Sequence, residues 1–474
     1  MVHSGARRLL RAALLAATAL SANALAASPA LAQEASVDAR LDRLEKLVEG
    51  LIARLDAEQT SHQTDDAAMR AEQETMRQQS AALLAATRDL KDRQTELAQQ
   101  IAVPKGQEDK GFRVGKTTVA YAGYVKLDAL VQRTSGGQMP DNSIGRDFLI
   151  PALIPVGGTA SGYDTDYSAR QTRFILKTAT DVGAAHTLNS HIELDFNVTD
   201  GGDERTTNSY VPRLRQAFIT YDNWLFGQAW STFQNVGALP DSLDFIGVTP
   251  GTVFDRQPMI RWSKGGWQIA LEQPETTVTT RTGARVMPGD DTIPDVVARY
   301  NLTRPWGSLS AAGIVRTLRI SDDDFGTGTD SALAYGLSLS GKIKVGAKDD
   351  ICFMATAGDG LGRYIGLNIV NDAALDTGGN LDPIFTWSGF AAYQHHWGGR
   401  LRSSVAGSYF KADNPVVLTT RQVTDESWNA FANLIWNPVD PLDIGIEVLY
   451  AERSLEDGRT GDLRRVMVSS RYNF

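Results

Sequence analysis

The chain of 474 residues carries 47 Lys and Arg against 56 Asp and Glu, a formal charge of -9 that argues against nucleic acid as a partner. A single cysteine excludes an intramolecular disulfide framework. The length would accommodate two or three soluble domains and only 22% of the residues are charged, so the class has to be read from local pattern.

Residues 1–32 have the order of a secretory signal peptide. Arg7, Arg8 and Arg11 precede an alanine- and leucine-rich stretch, and "SPALAQ" offers Ala30 and Ala32 as a small-residue cleavage site. Removal after Ala32 is expected, which makes the mature chain an exported one. No later segment approaches the ~18 uninterrupted apolar residues of a spanning helix. If the protein enters a membrane, it does so with strands.

Residues 33–103 read as a helical stalk. Between positions 33 and 101 there is no proline and a single glycine, Gly50, and the composition is rich in Ala, Glu, Gln, Arg and Leu, all strong helix formers. One helix of this length spans roughly 100 Å at about 1.5 Å per residue. Val37, Leu44 and Leu51 occupy one apolar heptad position, and Leu41, Val48 and Leu55 the other. His62 and Asp65 interrupt the seam, which resumes with Met69, Met76, Leu83, Leu90 and Leu97. A coiled coil joining several copies is expected, followed by a linker over 104–116 that opens with Pro104 and "KGQEDKG".

From residue 117 to 474 the period becomes two. "VAYAGYVKLDALV" sets Val119, Tyr121, Val125, Leu127 and Val131 against Lys126 and Asp128. "HTLNSHIELDFNV" sets Leu188, Ile192, Leu194, Phe196 and Val198 against His191, Glu193, Asp195 and Asn197, and "LDIGIEVLY" repeats the pattern. Ionisable residues on the inward face and aliphatics outside invert a soluble sandwich. About sixteen such segments alternate between short connections such as "DN", "KGG" and "RPW" and long ones near 132–167, 199–211, 232–255 and 358–382. That rhythm belongs to an all-β transmembrane barrel of about 16 antiparallel strands with short periplasmic turns and long outer loops. The terminal "RRVMVSSRYNF" places Phe474, Tyr472, Val468 and Val466 on one face and Arg471, Met467 and Arg465 on the other. Tyr472 and Phe474 are expected in the periplasmic aromatic girdle, and a terminal Phe after alternating apolar residues resembles the signature read by the barrel-assembly machinery.

Four stretches go beyond a generic barrel: "ARQTRFIL" at Ala169, "LRQAFITYDNWLFGQAWSTF" at Leu214, "RQPMIRW" at Arg256 and "GDGLGRYIG" at Gly358. With the stalk before the barrel they resemble the DcaP-like family of trimeric outer-membrane porins. The resemblance implies sixteen strands, a homotrimer, a periplasmic coiled coil and passive uptake of small anionic solutes such as dicarboxylates. Outer-membrane lipid and lipopolysaccharide are the expected surroundings of a Gram-negative outer-membrane protein of this kind. Phosphate-selective porins share the outline, although their basic track is typically rich in lysine and the one here is mostly arginine. A general porin, or an envelope spacer with a plugged barrel, also remains open.

Barrel parity turns Arg173 and Lys177 inward opposite Phe174 and Leu176, Arg213 and Arg215 opposite Leu214 and Phe218, Arg261 opposite Ile260 and Trp262, and Arg299 opposite Ala298 and Tyr300. These six residues from strands two, four, six and eight are the candidate pore-lining cations. Always-charged guanidinium groups suit bidentate contact with carboxylates, although pairing with Glu193 and Asp195 would make the same arginines structural. The third long loop, "STFQNVGALPDSLDFIGVTPGTVFD", is apolar for a solvated loop, so it is expected to fold inward as a constriction, with Asp241 and Asp244 facing the arginines. "SDDDFGTGTD" departs from the EF-hand spacing, His395 and His396 have opposite parity, and no Ser/His/acid set stands out. Neither a cofactor nor an enzymatic activity is expected.

Overall fold

The computed structural model describes residues 111–474 apart from 142, 184–185, 198–206, 290 and 322–327, together with 46, 49 and 50, which are helical. The expected signal peptide, almost all of the expected coiled coil and most of the acidic segment weighed for calcium lie outside the described residues. The chain divides into two units, Met1–Lys105 and Gly106–Phe474. Within the expected linker, Gly111–Val114 pairs with the start of the first barrel strand as a hairpin, so residues 111–116 are not a loose tether.

The second unit is a closed antiparallel barrel of sixteen strands. The first eight are β1 (Thr117–Thr134), β2 (Asp164–Ser168 with Arg173–Asp181), β3 (Thr187–Asp195), β4 (Arg213–Tyr221), β5 (Trp224–Trp230), β6 (Arg256–Lys264), β7 (Trp267–Glu272) and β8 (Asp295–Arg304). The rest are β9 (Gly307–Ile320), β10 (Asp330–Val345), β11 (Asp349–Asp359), β12 (Phe385–His396), β13 (Leu401–Asp413), β14 (Thr424–Val439), β15 (Leu442–Leu455) and β16 (Thr460–Asn473). Each strand pairs with its sequence neighbours, and β1 closes the barrel by pairing with both β2 and β16, as in Val131 opposite Thr165 and Val466. Phe474 completes the seam: its N–H donates to the Gly123 carbonyl at 3.0 Å and its carbonyl accepts from the Gly123 N–H at 3.2 Å. Gly123 has φ +155°, and a Cβ there would lie 2.2 Å from the Arg173 carbonyl oxygen, so the seam requires glycine.

The two faces of the strands differ as the alternation requires. In β10, Leu333, Tyr335, Leu337 and Leu339 stand on the outside, Leu337 being 71% exposed, while Ala334, Gly336, Ser338 and Ser340 are buried within. A band of exposed aliphatic and aromatic side chains around the barrel is a surface for hydrocarbon rather than water. The short connections lie at one end, and both ends of the barrel chain emerge there. The other eight connections lie at the opposite end and most are longer, among them L1 (135–163), L3 (231–255), L4 (273–294), L6 (360–384) and L7 (414–423).

The interior is less polar than the inward acids and bases led us to expect. L1, L3 and L6 fold into the barrel and contribute Leu149, Ile154, Phe233, Val248, Val253, Ile365 and Ile384 to one buried apolar cluster. Inward residues of the wall complete it, including Ile314, Met354, Phe390, Phe410 and Phe431. Two hairpins, Val278–Thr279 with Arg285–Val286 in L4 and Ala373–Leu375 with Leu381–Pro383 in L6, pair into a small four-stranded sheet. Val278, Ala373, Leu375 and Leu381 pack it against Leu318, Ile320 and Ala334 of the wall.

Candidate functional site

The basic wall is built on β2 to β8. Its centre is a pair of carboxylates on β3, Glu193 and Asp195, both buried. Arg215 donates Nε to Glu193 at 2.6 Å and Nη1 to Asp195 at 2.7 Å, and its side chain is 1% exposed. Arg213 grips Asp195 in bidentate fashion at 2.9 and 2.8 Å, and Arg173 reaches Glu193 at 3.2 Å. The ring of Trp230 carries Arg215 at 5.7 Å and Arg256 at 4.8 Å from its centroid. Arg256 makes no ion pair among the described residues, and its Nη1 is buried without a hydrogen-bond partner. Four guanidinium groups thus gather around two carboxylates.

Arg261 and Arg299 stand apart from that cluster. Arg261 donates Nη1 to the Trp230 carbonyl at 3.3 Å and Arg299 donates Nη1 to the Gln234 carbonyl, so both rest on the backbone where L3 leaves the wall. Neither forms an ion pair among the described residues. The carboxylate between them in the wall, Glu272, spends its oxygens on Ser231 Oγ, the Thr232 N–H and Gln257 Nε2 at 2.6 to 2.7 Å. Lys177 is exposed on β2, in register with His191.

One expected parity is wrong. Strict alternation puts Phe218 on the outer face opposite Arg213 and Arg215, but a bulge shifts the register between Glu193 and Leu194, so that Glu193 faces Gln216 and Leu194 faces Leu214. Arg213, Arg215 and Gln216 therefore all reach the inward acids, and Phe218 stacks inside on His191 with centroids 4.9 Å apart and planes at 7°.

L3 does enter the barrel, but its acids do not face these arginines. Asp241 pairs with Arg402 of β13 at 2.6 Å, and Arg402 also holds Asp443 of β15 at 3.0 Å. Asp244 pairs with Arg465 of β16 at 3.3 Å and accepts the Leu149 N–H of L1 at 2.9 Å. Buried Glu447 of β15 accepts Ser242 Oγ, the Leu243 and Asp244 N–H groups and Asn433 Nδ2. Lys126 of β1 donates to the Leu243 carbonyl at 2.6 Å. Asp241 and Asp244 are anchors that pin the loop to the wall opposite the arginines. Phe245 beyond them packs on Arg215 at 5.1 Å, so the loop spans the lumen.

L4 and L6 are latched by a second buried centre. Arg316 of β9 donates to Asp295 at 3.0 Å, to Asp372 at 2.9 Å and to the Gly360 carbonyl at 2.7 Å. Asp372 in turn accepts the Thr277 N–H and Oγ1, both at 2.9 Å. Tyr364 OH donates to Asp295 at 2.7 Å. Arg256, Arg316, Arg402, Arg465 and Glu447 are not among the site residues that the sequence singles out. Parity marked most of them as inward, but nothing in the local pattern tells which inward charge a loop will meet.

A family model described as DcaP outer membrane protein matches residues 55–474. No protein with a curated description matches the chain. Among solved structures, the outer membrane channel DcaP of Acinetobacter baumannii is similar at 23% identity and a TM-score of 0.64, over 77% of this chain and 99% of that one. OmpT of Vibrio cholerae matches at 10% identity and a TM-score of 0.44, over 77% of this chain and 100% of that one. OmpF of Salmonella typhi, in complex with daunomycin, matches at 11% identity and 0.44, over 76% and 98%. With the family model covering the whole barrel, this chain belongs to the DcaP outer membrane protein family.

Proposed function

We infer that this protein is an outer-membrane porin through which small anionic solutes, dicarboxylates and similar organic acids, diffuse passively past an arginine-lined constriction. The observation that carries the reading is the charge imbalance of the β2–β8 wall. Arg173, Arg213, Arg215 and Arg256 gather around only Glu193 and Asp195, and Arg261 and Arg299 are held by carbonyls rather than acids. A wet passage beside such a wall draws anions in, and guanidinium groups fixed by neutral acceptors keep nitrogens free for a carboxylate that must also leave. L3, pinned to the opposite wall, narrows the passage. The same reading includes a homotrimer, assembly directed by Tyr472 and Phe474 through the barrel-assembly machinery, and a stalk over residues 33–103 in the periplasm, the side to which the short turns are assigned.

A second reading is favoured by the apolar cluster inside the barrel: a barrel plugged by its own loops that anchors the N-terminal segment as an envelope spacer. Planar-bilayer recording of the full-length protein separates the two. A porin gives stepwise conductance that added succinate reduces, whereas a plugged spacer gives none.

A further inference from the structure

The outer face of β1 and β13–β16 carries a groove of about 600 Å³. Its floor is a cross-strand row running Val405, Ala432, Val448, Val466, Val131, and the next row toward the loop end runs Ala430, Tyr450, Arg464, Arg133. The trough forms because Ala430 and Ala432 stand between larger outward neighbours. At its loop-side end Arg133 and Arg464 stand in register across the β1–β16 pair, an unfavourable arrangement for like charges that the ion pair of Arg464 with Asp462 at 3.1 Å offsets on one side only.

Both guanidinium groups are held in place with nitrogens to spare. Arg133 lies 5.7 Å from the centroid of Tyr163 and donates Nε to the Ser161 carbonyl at 3.2 Å. Arg464 lies 6.0 Å from the centroid of Tyr450 and donates Nε to Asp462 at 3.1 Å. The acids nearby, Asp462 and Glu452, form the following row toward the loops, outside the groove, and Glu452 accepts the Tyr450 hydroxyl at 2.9 Å. In that same row Tyr409 faces Trp428, which sets the level of an interfacial aromatic girdle. From Arg464 to the other girdle at Tyr472 is roughly 26 Å along the strand at about 3.3 Å per residue, or about 20 Å along the membrane normal for a strand tilted by about 40°, which sets Arg464 near the upper edge of an apolar band about 25 Å tall.

We propose that this groove binds a phosphorylated, multiply acylated lipid of the outer leaflet, one acyl chain lying over Ala430 and Ala432 and a headgroup phosphate bridging Arg133 and Arg464. The apolar trough fits the chain, the paired cations fit a phosphate, and their place at the girdle is where a headgroup sits. Neither arginine lines the lumen.

The test uses the full-length protein in detergent, with binding of bis-phosphorylated lipid A and of its dephosphorylated counterpart read by native mass spectrometry. R133Q/R464Q should weaken lipid A binding roughly thirtyfold, about fivefold per arginine near an anionic surface. Ala430→Leu, which fills the trough and keeps both charges, should weaken it too, and channel conductance should be unchanged in both variants. Equal retention of the dephosphorylated lipid by the unmodified protein, or undiminished lipid A binding by R133Q/R464Q, would overturn the proposal. So would a change in subunit number in either variant, because the groove would then be a contact between copies of the chain.

Discussion

The division of the basic wall into acid-paired and carbonyl-held arginines makes the double variant R261Q/R299Q the most informative perturbation. Glutamine keeps a polar lining and a hydrogen bond to the Trp230 or Gln234 carbonyl while removing two charges that no described carboxylate neutralises by contact. At ~6 Å and an effective dielectric constant near 20, one guanidinium favours a passing carboxylate by about 3 kcal/mol, against about 0.7 kcal/mol in bulk water. A wet constriction lies between those limits, so losing both charges should slow dicarboxylate permeation at least tenfold, tenfold being the roughly 1.4 kcal/mol that two charges are worth at the bulk-water limit. Swelling of proteoliposomes in succinate, compared with a neutral sugar of similar size, measures this directly. The sugar rate should stay unchanged, and the succinate effect should fade near 1 M salt, where the screening length is about 3 Å. An unchanged succinate-to-sugar ratio at low salt would place Arg261 and Arg299 away from the path and refute the reasoning.

Four other outcomes follow from the same geometry. Arg215→Ala strips a fully buried cation from Glu193 and Asp195 and should cost about 3–5 kcal/mol, lowering the urea midpoint of the barrel in detergent; a midpoint equal to that of R261Q/R299Q would remove its structural role. Glu447→Ala leaves Ser242 and two N–H groups of L3 without their acceptor, about 1–3 kcal/mol each, so single-channel conductance should rise and become noisier, and a native trace would show that L3 does not depend on this anchor. Deleting Phe474 should lower the yield in the outer membrane with conductance unchanged, and a normal yield would end its assignment as an assembly signal. In L4, burial pushes the Asp291 and Glu275 carboxyls above their ordinary values of 3.8 and 4.5, with Asp372 adding to the rise and Arg316 opposing it. Such groups bind protons more tightly in the folded loop, so their stabilisation is complete below the ordinary carboxylate range and is lost as pH rises through the raised values. Acidifying from neutral to about pH 4 should therefore protect L4 from proteolysis, and faster cleavage on acidification would contradict the sign.

The barrel was legible because a strand between lipid and a wet or packed interior must alternate, and sixteen repetitions leave little room for another fold. Strands such as β10, with leucines and a tyrosine outward and Ala, Gly and Ser inward, announce both faces at once. What the alternation hides is any place where it slips. The bulge beside Arg215 turned Phe218 inward, and the interruption of β2 at residues 169–172 lets Thr172 Oγ1 accept the Lys126 N–H at 3.2 Å. The partners of L3 were illegible for a different reason. Asp241 and Arg402 are 161 residues apart and Asp244 and Arg465 are 221 apart, and composition marks such a loop as buried without saying against which wall. The apolar interior was readable in part, since Ile314, Phe390 and Phe431 occupy inward positions, but only the folded loops explain what they pack against.

If excess arginine charge on one wall governs passage, as proposed, the zero-current potential of the unmodified protein carries its sign. Measured across a KCl gradient at low ionic strength, the potential should have the sign of chloride preference and should decline toward zero as both compartments are raised toward 1 M. A potential of cation sign, or one near zero at low salt, would contradict the account.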